Sequence, residues 1–158
     1  MTNDLPESHR DLLDRPLFAH LATLRPDGSP QSSVMWFAWD GQRIRFSHTS
    51  NRQKYRNLLK DGRVSFHVQD PANGYRTLEV RGKVVSMDSD PDAAFYRSLQ
   101  KRYDLEIPVF DAEVRIVVVV EPESYVAVDG GLTESETVAL TELLNNLAPE
   151  TEGSVEPT

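Results

Sequence analysis

The stretch that decides the fold reads Leu17-Phe-Ala-His-Leu-Ala-Thr-Leu-Arg25, followed by the turn Pro26-Asp27-Gly28 and a second strand-like run over residues 31–39. Two such runs on either side of a tight turn predict a β-hairpin. A second turn signal, Asp40-Gly41, leads to residues 43–47, where apolar and polar side chains alternate. The chain is therefore predicted to open with three antiparallel strands.

The strands predicted further along the chain are also separated by turns. Alternation over residues 64–68 predicts a fourth strand, and residues 75–87 predict a long fifth strand with a bulge or bend at Gly82. Residues 114–120 are apolar on both faces, which predicts burial on both sides, for instance between a barrel interior and a second subunit. Residues 123–129 supply the seventh strand. Seven short strands predict a mainly β protein with a few helices, folded as an antiparallel barrel.

Three helices are predicted outside the region between the third and fourth strands. A short one covers residues 8–14, and Asp90-Pro91 has the capping residue and proline typical of a helix start. Near the end of the chain, Thr133 and Glu136 have the spacing of a capping box, in which each side chain bonds a backbone N–H of the first turn. An apolar stripe of helical period follows over residues 139–147.

These elements predict one folded domain with an acidic extension. Residues 1–132 form the barrel domain, residues 133–148 a C-terminal helix, and residues 149–158 a tail with too little apolar surface to fold. The net charge of −8 is unevenly distributed, because the last 26 residues contain six glutamates and no lysine or arginine. The rest of the chain is nearly neutral, so it lacks the broad basic face that nucleic-acid binding requires.

The helix between the third and fourth strands begins with an unusual charge. Ser50 and Gln53 have the form of a capping box, which predicts a helix start at about Asn51. Arg52 and Lys54 then lie in or beside the first turn, where the helix dipole is already positive and acidic side chains would be favoured. A helix N-terminus that carries two cations is suited to binding a phosphate. The alternative is that both side chains simply extend into water.

The same helix is predicted to end at Asp61-Gly62, with the glycine in the left-handed conformation that commonly terminates helices. Two features of composition limit the other possibilities. The absence of cysteine excludes disulfides, thiolate metal sites and a cysteine nucleophile, and it fits a reducing cytoplasm. No apolar run is long enough to span a membrane, and the N-terminus has no signal-peptide pattern, so a cytoplasmic protein without membrane contact is expected.

Common catalytic and metal-binding motifs are missing from the sequence. The chain contains no G-x-S-x-G elbow, Walker loop or Rossmann glycine motif. None of the four histidines has metal-site spacing, so no metal is expected, and only His48 is close to the cationic helix; the four are His9, His20, His48 and His67. Any chemistry is therefore expected to come from elsewhere.

An ordered set of segments resembles a known family. The set comprises Leu21-Ala-Thr-Leu-Arg-Pro-Asp-Gly-Ser-Pro30, Val34-Met-Trp-Phe-Ala-Trp-Asp-Gly41, Arg45-Phe-Ser47, and Arg52-Gln-Lys54 with Asn57-Leu58. In this order they resemble the pyridoxamine-phosphate-oxidase-like flavin-binding split barrels. Within that superfamily the chain is most similar to the deazaflavin-dependent oxidoreductases, which use coenzyme F420. The resemblance covers residues 8–130.

The resemblance implies a homodimeric split barrel that holds one coenzyme in a groove at each end of the subunit interface. In the family, Arg-x-Lys at the helix start binds the coenzyme phosphate, and this pattern falls on Arg52 and Lys54, the two cations identified above from helix electrostatics. The other positions that match the family's coenzyme contacts are Gln31, Ser33, Val34, Met35, Ser47, Gln53 and Asn57. Trp36 and Trp39 are three positions apart, so at most one of them can line the pocket.

The implied function is hydride transfer from reduced coenzyme F420 to a conjugated or unsaturated small molecule, with the protein supplying orientation and electrostatics. The sequence identifies no catalytic side chain. Two alternatives stay open. An FMN-dependent enzyme of the pyridoxamine phosphate oxidase type would use the same phosphate site, and a non-enzymatic flavin or haem carrier would use the same groove without turnover.

Overall fold

The computed structural model describes residues 2–131 and 134–147. Over these residues the strands are β1 (Ala19–Leu24), β2 (Pro30–Met35), β3 (Phe37–Trp39), β4 (Ile44–Thr49), β5 (Arg63–Asp70), β6 (Asn73–Ser89) and β7 (Arg115–Val128). The α-helices are α1 (Asp11–Asp14), α2 (Gln53–Lys60), α3 (Ala94–Arg102) and α4 (Glu134–Leu147). None of the helices in this part of the chain is long and apolar enough to cross a membrane.

The strands form one antiparallel sheet in the order β2-β1-β5-β6-β7-β4-β3. The two edge strands, β2 and β3, are consecutive in the chain and are separated by a single residue, Trp36. The sheet must therefore curl until its two edges meet near Trp36, which produces a half-barrel. The predicted antiparallel split barrel with a few helices is confirmed.

Two of the predicted strand boundaries are wrong, although they leave the number of strands at seven. Residues 31–39 form two strands instead of one, because Trp36 leaves the hydrogen-bonded ladder and stacks on α3. Residues 114–120 and 123–129 lie in one continuous strand, β7. Pro122 does not interrupt that strand, because it lies opposite Gly82, where the register of β6 shifts. Proline is tolerated at such irregular positions, where no regular ladder hydrogen bond is needed. The bulge or bend predicted at Gly82 is confirmed.

The core is built on three phenylalanine rings inside the barrel. Phe37, Phe46 and Phe66 are fully buried, and their ring centroids lie 5.7–6.4 Å apart. Leu12 and Leu13 of α1, also fully buried, pack into the same cluster. In β7, the neighbours Val118 and Val119 point to opposite faces and are 1% and 8% exposed, so both faces of this strand are already covered within one chain.

The predicted caps of α2 are both wrong. No side chain caps this helix, and it begins at Gln53 with Arg52 as the N-cap residue. Gln53 does not complete a capping box, because it is the first residue of the helix and its side-chain oxygen accepts a hydrogen bond from Arg56 while its nitrogen donates to Asn57. At the other end Gly62 does not have positive φ. The helix ends on an extended Asp61, and Gly62 instead passes close to β6, where its carbonyl accepts a hydrogen bond from Val84.

The other predicted helices are present. A 3₁₀ turn over Glu7–His9 precedes α1, and a 3₁₀ turn over Pro91–Ala93 precedes α3. The Asp90 carboxylate accepts hydrogen bonds from the first backbone N–H groups of α3, at 2.9 and 3.0 Å. The C-terminal helix is α4, and the larger apolar side chains along it are exposed: Val138, Leu140, Leu143, Leu144 and Leu147. Thr133 of its predicted capping box and the predicted tail at 149–158 lie outside the described residues.

Candidate functional site

A pocket of about 380 Å³ opens where β2, β4 and β7 approach the start of α2 and one face of α3. Its polar side is lined by Ser47, His48, Thr49, Arg52 and Arg115. Its apolar side is lined by Phe18, Val34, Met35, Trp36, Tyr96, Leu99, Leu105 and Ile107. One side of the pocket is therefore suited to an anionic or polar group, and the other to a flat apolar one.

Lys54 is the most unusual charged residue in this region. Its side chain is only 4% exposed, and no described carboxylate lies within ion-pair distance of its ammonium group. Nζ instead contacts the thioether sulfur of Met35 at 2.9 Å, which is a weak acceptor. Burial, and then the charge of Arg52, lower the pKa of Lys54 from 10.5 to about 8. A buried cation without a counter-charge is destabilising, and an anionic ligand would relieve it.

Three buried polar atoms near the pocket also have no hydrogen-bond partner among the described residues. They are Ser33 Oγ, His48 Nε2 and Thr49 Oγ1. Burial, and to a lesser extent the nearby cations, lower the pKa of His48 to about 4. The imidazole is therefore neutral at pH 7. Buried polar groups in native proteins are nearly always paired, so these atoms indicate a site completed by a ligand or by ordered water.

A network of amides holds α2 against the sheet. Asn57 is fully buried and donates to Thr23 Oγ1 and Gln31 Oε1, each at 3.0 Å. Its own carbonyl accepts a hydrogen bond from Gln53 Nε2 at 2.9 Å. These contacts join α2 to β1 and β2 and thereby set the position of Lys54, which lies one turn before Asn57 on the same helix.

Arg115 brings a further cation to the pocket, but one that is already paired. Its guanidinium donates to the carboxylate of Asp111 at 2.9 and 3.0 Å and to the hydroxyl of Ser47 at 3.3 Å. It also lies over the ring of Tyr96, with the guanidinium carbon 3.7 Å from the ring centroid. Arg115 is therefore held in place by three neighbours, whereas Arg52 is exposed and has no ion-pair partner among the described residues.

Aromatic rings form the apolar wall. Trp36 stacks on Tyr103 with ring centroids 5.0 Å apart and on Tyr96 with centroids 6.3 Å apart. The Tyr103 hydroxyl donates to the carbonyl of Leu17 at 2.6 Å and accepts from the backbone N–H of Phe37 at 3.1 Å. Tyr103 thus replaces a strand partner where the ladder is interrupted between β2 and β3, and it holds Trp36 at the pocket.

We expect Tyr103→Phe to lower the free energy of unfolding by about 1–2 kcal/mol, because the N–H of the buried Phe37 and the carbonyl of the half-buried Leu17 lose their partner. Urea unfolding measures this loss. Tyr75→Phe is the matched control, since Tyr75 is 77% exposed and its loss of a hydroxyl should change stability little. Equal stability of the two variants would contradict a structural role for the Tyr103 hydroxyl.

The predicted site residues fall into two groups. Val34, Met35, Ser47 and Arg52 line the pocket, and Lys54 reaches it through its contact with Met35. Gln31, Gln53 and Asn57 lie behind it, in the network that positions α2, and the Ser33 hydroxyl is buried without a partner. Direct contact of these nine residues with a coenzyme stays a prediction.

Sequence reasoning missed other pocket residues, among them Thr49, Tyr96 and Arg115. Of the two tryptophans, Trp36 lines the pocket, while Trp39 packs against the barrel core. One available signal was the run Ser47-His48-Thr49, three polar residues that end an alternating strand just before the cationic helix. Nothing in the sequence near Tyr96 and Arg115 indicates that they line the pocket, because their positions depend on how α3 and β7 pack. The described residues contain no group of three His, Asp or Glu side chains that could hold a metal ion.

Comparison with known proteins identifies the family. Residues 5–128 match the family model described as pyridoxamine 5'-phosphate oxidase. This match covers most of the chain, and the structure has the corresponding split barrel. The protein therefore belongs to the pyridoxamine 5'-phosphate oxidase-like family.

Solved structures agree with this assignment. One named F420 reductase is 50% identical, covers 77% of this chain and 98% of its own, and superimposes with a TM-score of 0.76. A conserved hypothetical protein from Mycobacterium tuberculosis is 25% identical over 80% of this chain and 86% of its own, with a TM-score of 0.65. A protein named as a putative pyridoxamine 5'-phosphate oxidase from Listeria innocua, 17% identical over 77% of this chain and 95% of its own, shares the fold with a TM-score of 0.62. No curated protein matches the chain significantly.

Proposed function

We propose that this protein is an oxidoreductase that binds coenzyme F420 and reduces a conjugated or unsaturated small molecule. The observation that carries the proposal is Lys54, a buried cation with no described counter-charge, beside the unpaired Arg52 at a helix start. The buried charge of Lys54 is destabilising without an anion, and the phosphate of a coenzyme, which the exposed Arg52 can also reach, would supply one. The choice of a deazaflavin is supported by the 50% identity to a protein named F420 reductase.

The residues present fit such a coenzyme. Arg52 and Lys54 would hold its phosphate, and the buried hydroxyl of Ser33 would donate to or accept from its polar groups. Backbone groups of residues 34–36, which lie along the pocket, would hold the ring. A reduced deazaflavin bound there supplies a hydride from C5 of its ring.

The apolar side of the pocket supports a flat, conjugated substrate. Trp36 and Tyr96 bring aromatic rings to the pocket, and Leu99, Leu105 and Ile107 extend the apolar surface beside them. Such a wall favours planar apolar rings through aromatic contacts and through removal of apolar surface from water. Enclosure by these side chains would also keep water away from the hydride donor.

We also propose that the protein acts as a homodimer. Large apolar side chains are exposed in the single chain: Phe18 and Val34, which line the pocket, are 59% and 57% exposed, and Phe110 is 88% exposed. A second subunit that covers these residues would complete the pocket wall and reduce the apolar surface in water. Light scattering after size exclusion, at several protein concentrations, tests the assembly, and a purely monomeric protein would contradict it.

Coenzyme preference tests the proposed function directly. Titration calorimetry of the cofactor-free protein with coenzyme F420 and with FMN, at the same salt concentration, should show tight binding of the deazaflavin and weak binding of FMN. The reverse preference would assign the protein to the FMN-dependent branch suggested by the description of its family. Binding of F420 without turnover of any conjugated acceptor would indicate a coenzyme carrier, and binding of neither would overturn the proposal.

We expect Arg52→Ala to weaken coenzyme binding by about 1.5 kcal/mol, at the low end for a hydrogen bond to a charged group because Arg52 is exposed. Stability should change little. Arg56→Ala is the matched control, since Arg56 is an exposed cation on the same helix but does not line the pocket. Calorimetry of both variants measures the difference, and equal affinities would contradict phosphate binding by Arg52.

A further inference from the structure

His48 and Thr49 are two buried polar residues at the end of β4 that the proposed function leaves without a role. Their exposed fractions are 7% and 3%, both line the pocket, and His48 Nε2 and Thr49 Oγ1 have no described hydrogen-bond partner. Leaving such atoms unpaired is costly in free energy. The pocket, the burial and the two unpartnered atoms together indicate that a ligand atom or an ordered water lies against them.

The charges around His48 indicate the sign of that ligand. Lys54 and Arg52 face it from α2, and Arg115 faces it from β7, where Arg115 is already paired with Asp111. The imidazole is thus buried among cations, which disfavours its protonated form. A bound anion would cancel the charges of Arg52 and Lys54 and would accept a hydrogen bond from the ring.

We propose that His48 and Thr49 complete the anion site, and that His48 binds the phosphate group of the ligand and takes up a proton when that group binds. The identity of the ligand in this inference rests on the proposed function. The negative charge of the ligand rests only on the cations around His48. The hydroxyl of Thr49 donates a second hydrogen bond to the same group. The site then has a positive charge that forms only when the anion is present.

The consequence is a pH-dependent affinity. Above about pH 7 the ring of His48 is neutral with or without ligand, so binding depends on Arg52 and Lys54. As the pH falls towards 5.5, the complex gains a proton that the free protein does not hold, so affinity rises. If the complex returns the pKa of His48 towards the ordinary range of a histidine, affinity should rise several-fold between pH 7.5 and pH 5.5.

Two measurements test this inference. The first is an NMR spectrum of the histidine side chains at pH 5.5. The signal of His48 is assigned by its loss in His48→Gln. The spectrum is recorded without ligand, with sodium sulfate against matched chloride, and with coenzyme F420. Sulfate is the simplest probe because its charge does not change over this pH range.

The second measurement is the pH profile of F420 affinity for the wild type, for His48→Gln and for His20→Gln. His20 is an exposed histidine outside the pocket, so its variant should keep the wild-type profile. His48→Gln should lose the rise in affinity towards pH 5.5, because glutamine can donate a hydrogen bond but cannot be protonated.

The outcomes separate this inference from the proposed function. A neutral His48 that becomes protonated with both sulfate and F420 supports both. Protonation with sulfate, but no binding of F420, supports the anion site and overturns the choice of coenzyme. Binding of F420 with His48 unchanged, and the same pH profile in His48→Gln as in the wild type, overturns the inference and leaves the coenzyme proposal standing. No response to either ligand overturns both.

Discussion

Lys54→Met is expected to weaken coenzyme binding by about 2–3 kcal/mol and, at the same time, to stabilise the ligand-free protein. The loss of affinity follows from the loss of a buried, charge-assisted hydrogen bond to the phosphate. The gain in stability follows because methionine has a similar length and carries no charge, and Lys54 is almost fully buried against the sulfur of Met35 without a described counter-charge. Calorimetry and thermal unfolding measure the two effects on the same protein samples.

The pH dependence of stability provides a second test of the same residue. The pKa of Lys54 is about 8 in the folded protein and 10.5 in the unfolded chain, where the side chain is not buried. Between these pH values the unfolded chain binds more protons at this site than the folded protein, so Lys54 makes stability rise as the pH increases from about 8 to 10.5. At pH 7 the full cost of burying the charge is present, about 3 kcal/mol at most. Lys54→Met should lack this rise.

Lys60→Met is the matched control for both measurements. Lys60 is on the same helix but is exposed, and its ammonium group bonds the carbonyl of Pro26 outside the pocket. Neither affinity nor stability should change by more than about 0.5 kcal/mol in this variant. If Lys54→Met destabilised the ligand-free protein and bound the coenzyme normally, Lys54 would be a structural residue and the phosphate assignment would be wrong.

Asn57→Ala is expected to lower the free energy of unfolding by about 3 kcal/mol. Asn57 is fully buried, and its removal leaves Thr23 Oγ1, Gln31 Oε1 and Gln53 Nε2 without their partner. Unpaired buried groups cost about 1–3 kcal/mol each, although the half-buried glutamines can recover part of this by binding water. Because the network joins α2 to the sheet, coenzyme affinity should also fall, through misplacement of Lys54.

The control for this variant is Leu59→Ala, a truncation on the same helix at a side chain that is 61% exposed. It should cost well under 1 kcal/mol. Urea unfolding compares the two, and the coenzyme affinity of Asn57→Ala is measured at a temperature where the variant is still folded. A fully stable Asn57→Ala protein with weakened coenzyme binding would mean that Asn57 contacts the coenzyme directly and does not act through α2.

The site could be predicted from sequence only where local chemistry was sufficient. Arg52 and Lys54 were found because a cation in the first turn of a helix conflicts with the helix dipole, whatever the rest of the fold. The helix start itself was misplaced, because Gln53 has two possible partners, the backbone or Asn57, and sequence does not decide between them. That choice depends on how α2 packs against β1 and β2.

Burial was the property that sequence could not supply. Arg52 and Lys54 are adjacent cations of the same motif, yet Arg52 is exposed while Lys54 is 4% exposed. The same holds for His48, which sequence placed near the cationic helix but could not identify as buried among Lys54, Arg52 and Arg115. These distinctions arise from residues distant in the chain, and they decide which side chain has a shifted pKa.

The antiparallel strands, the turns that separate them and the cationic start of α2 follow from the amino-acid sequence, because alternation, turn residues and helix electrostatics are local properties. The place where the barrel closes depends instead on contacts between distant parts of the chain. The break at Trp36 joins the two edge strands, and it exists because Tyr103, 67 residues later in the chain, supplies the hydrogen bonds and the stacking surface that replace the ladder. Long-range packing of this kind leaves no periodic pattern in a sequence.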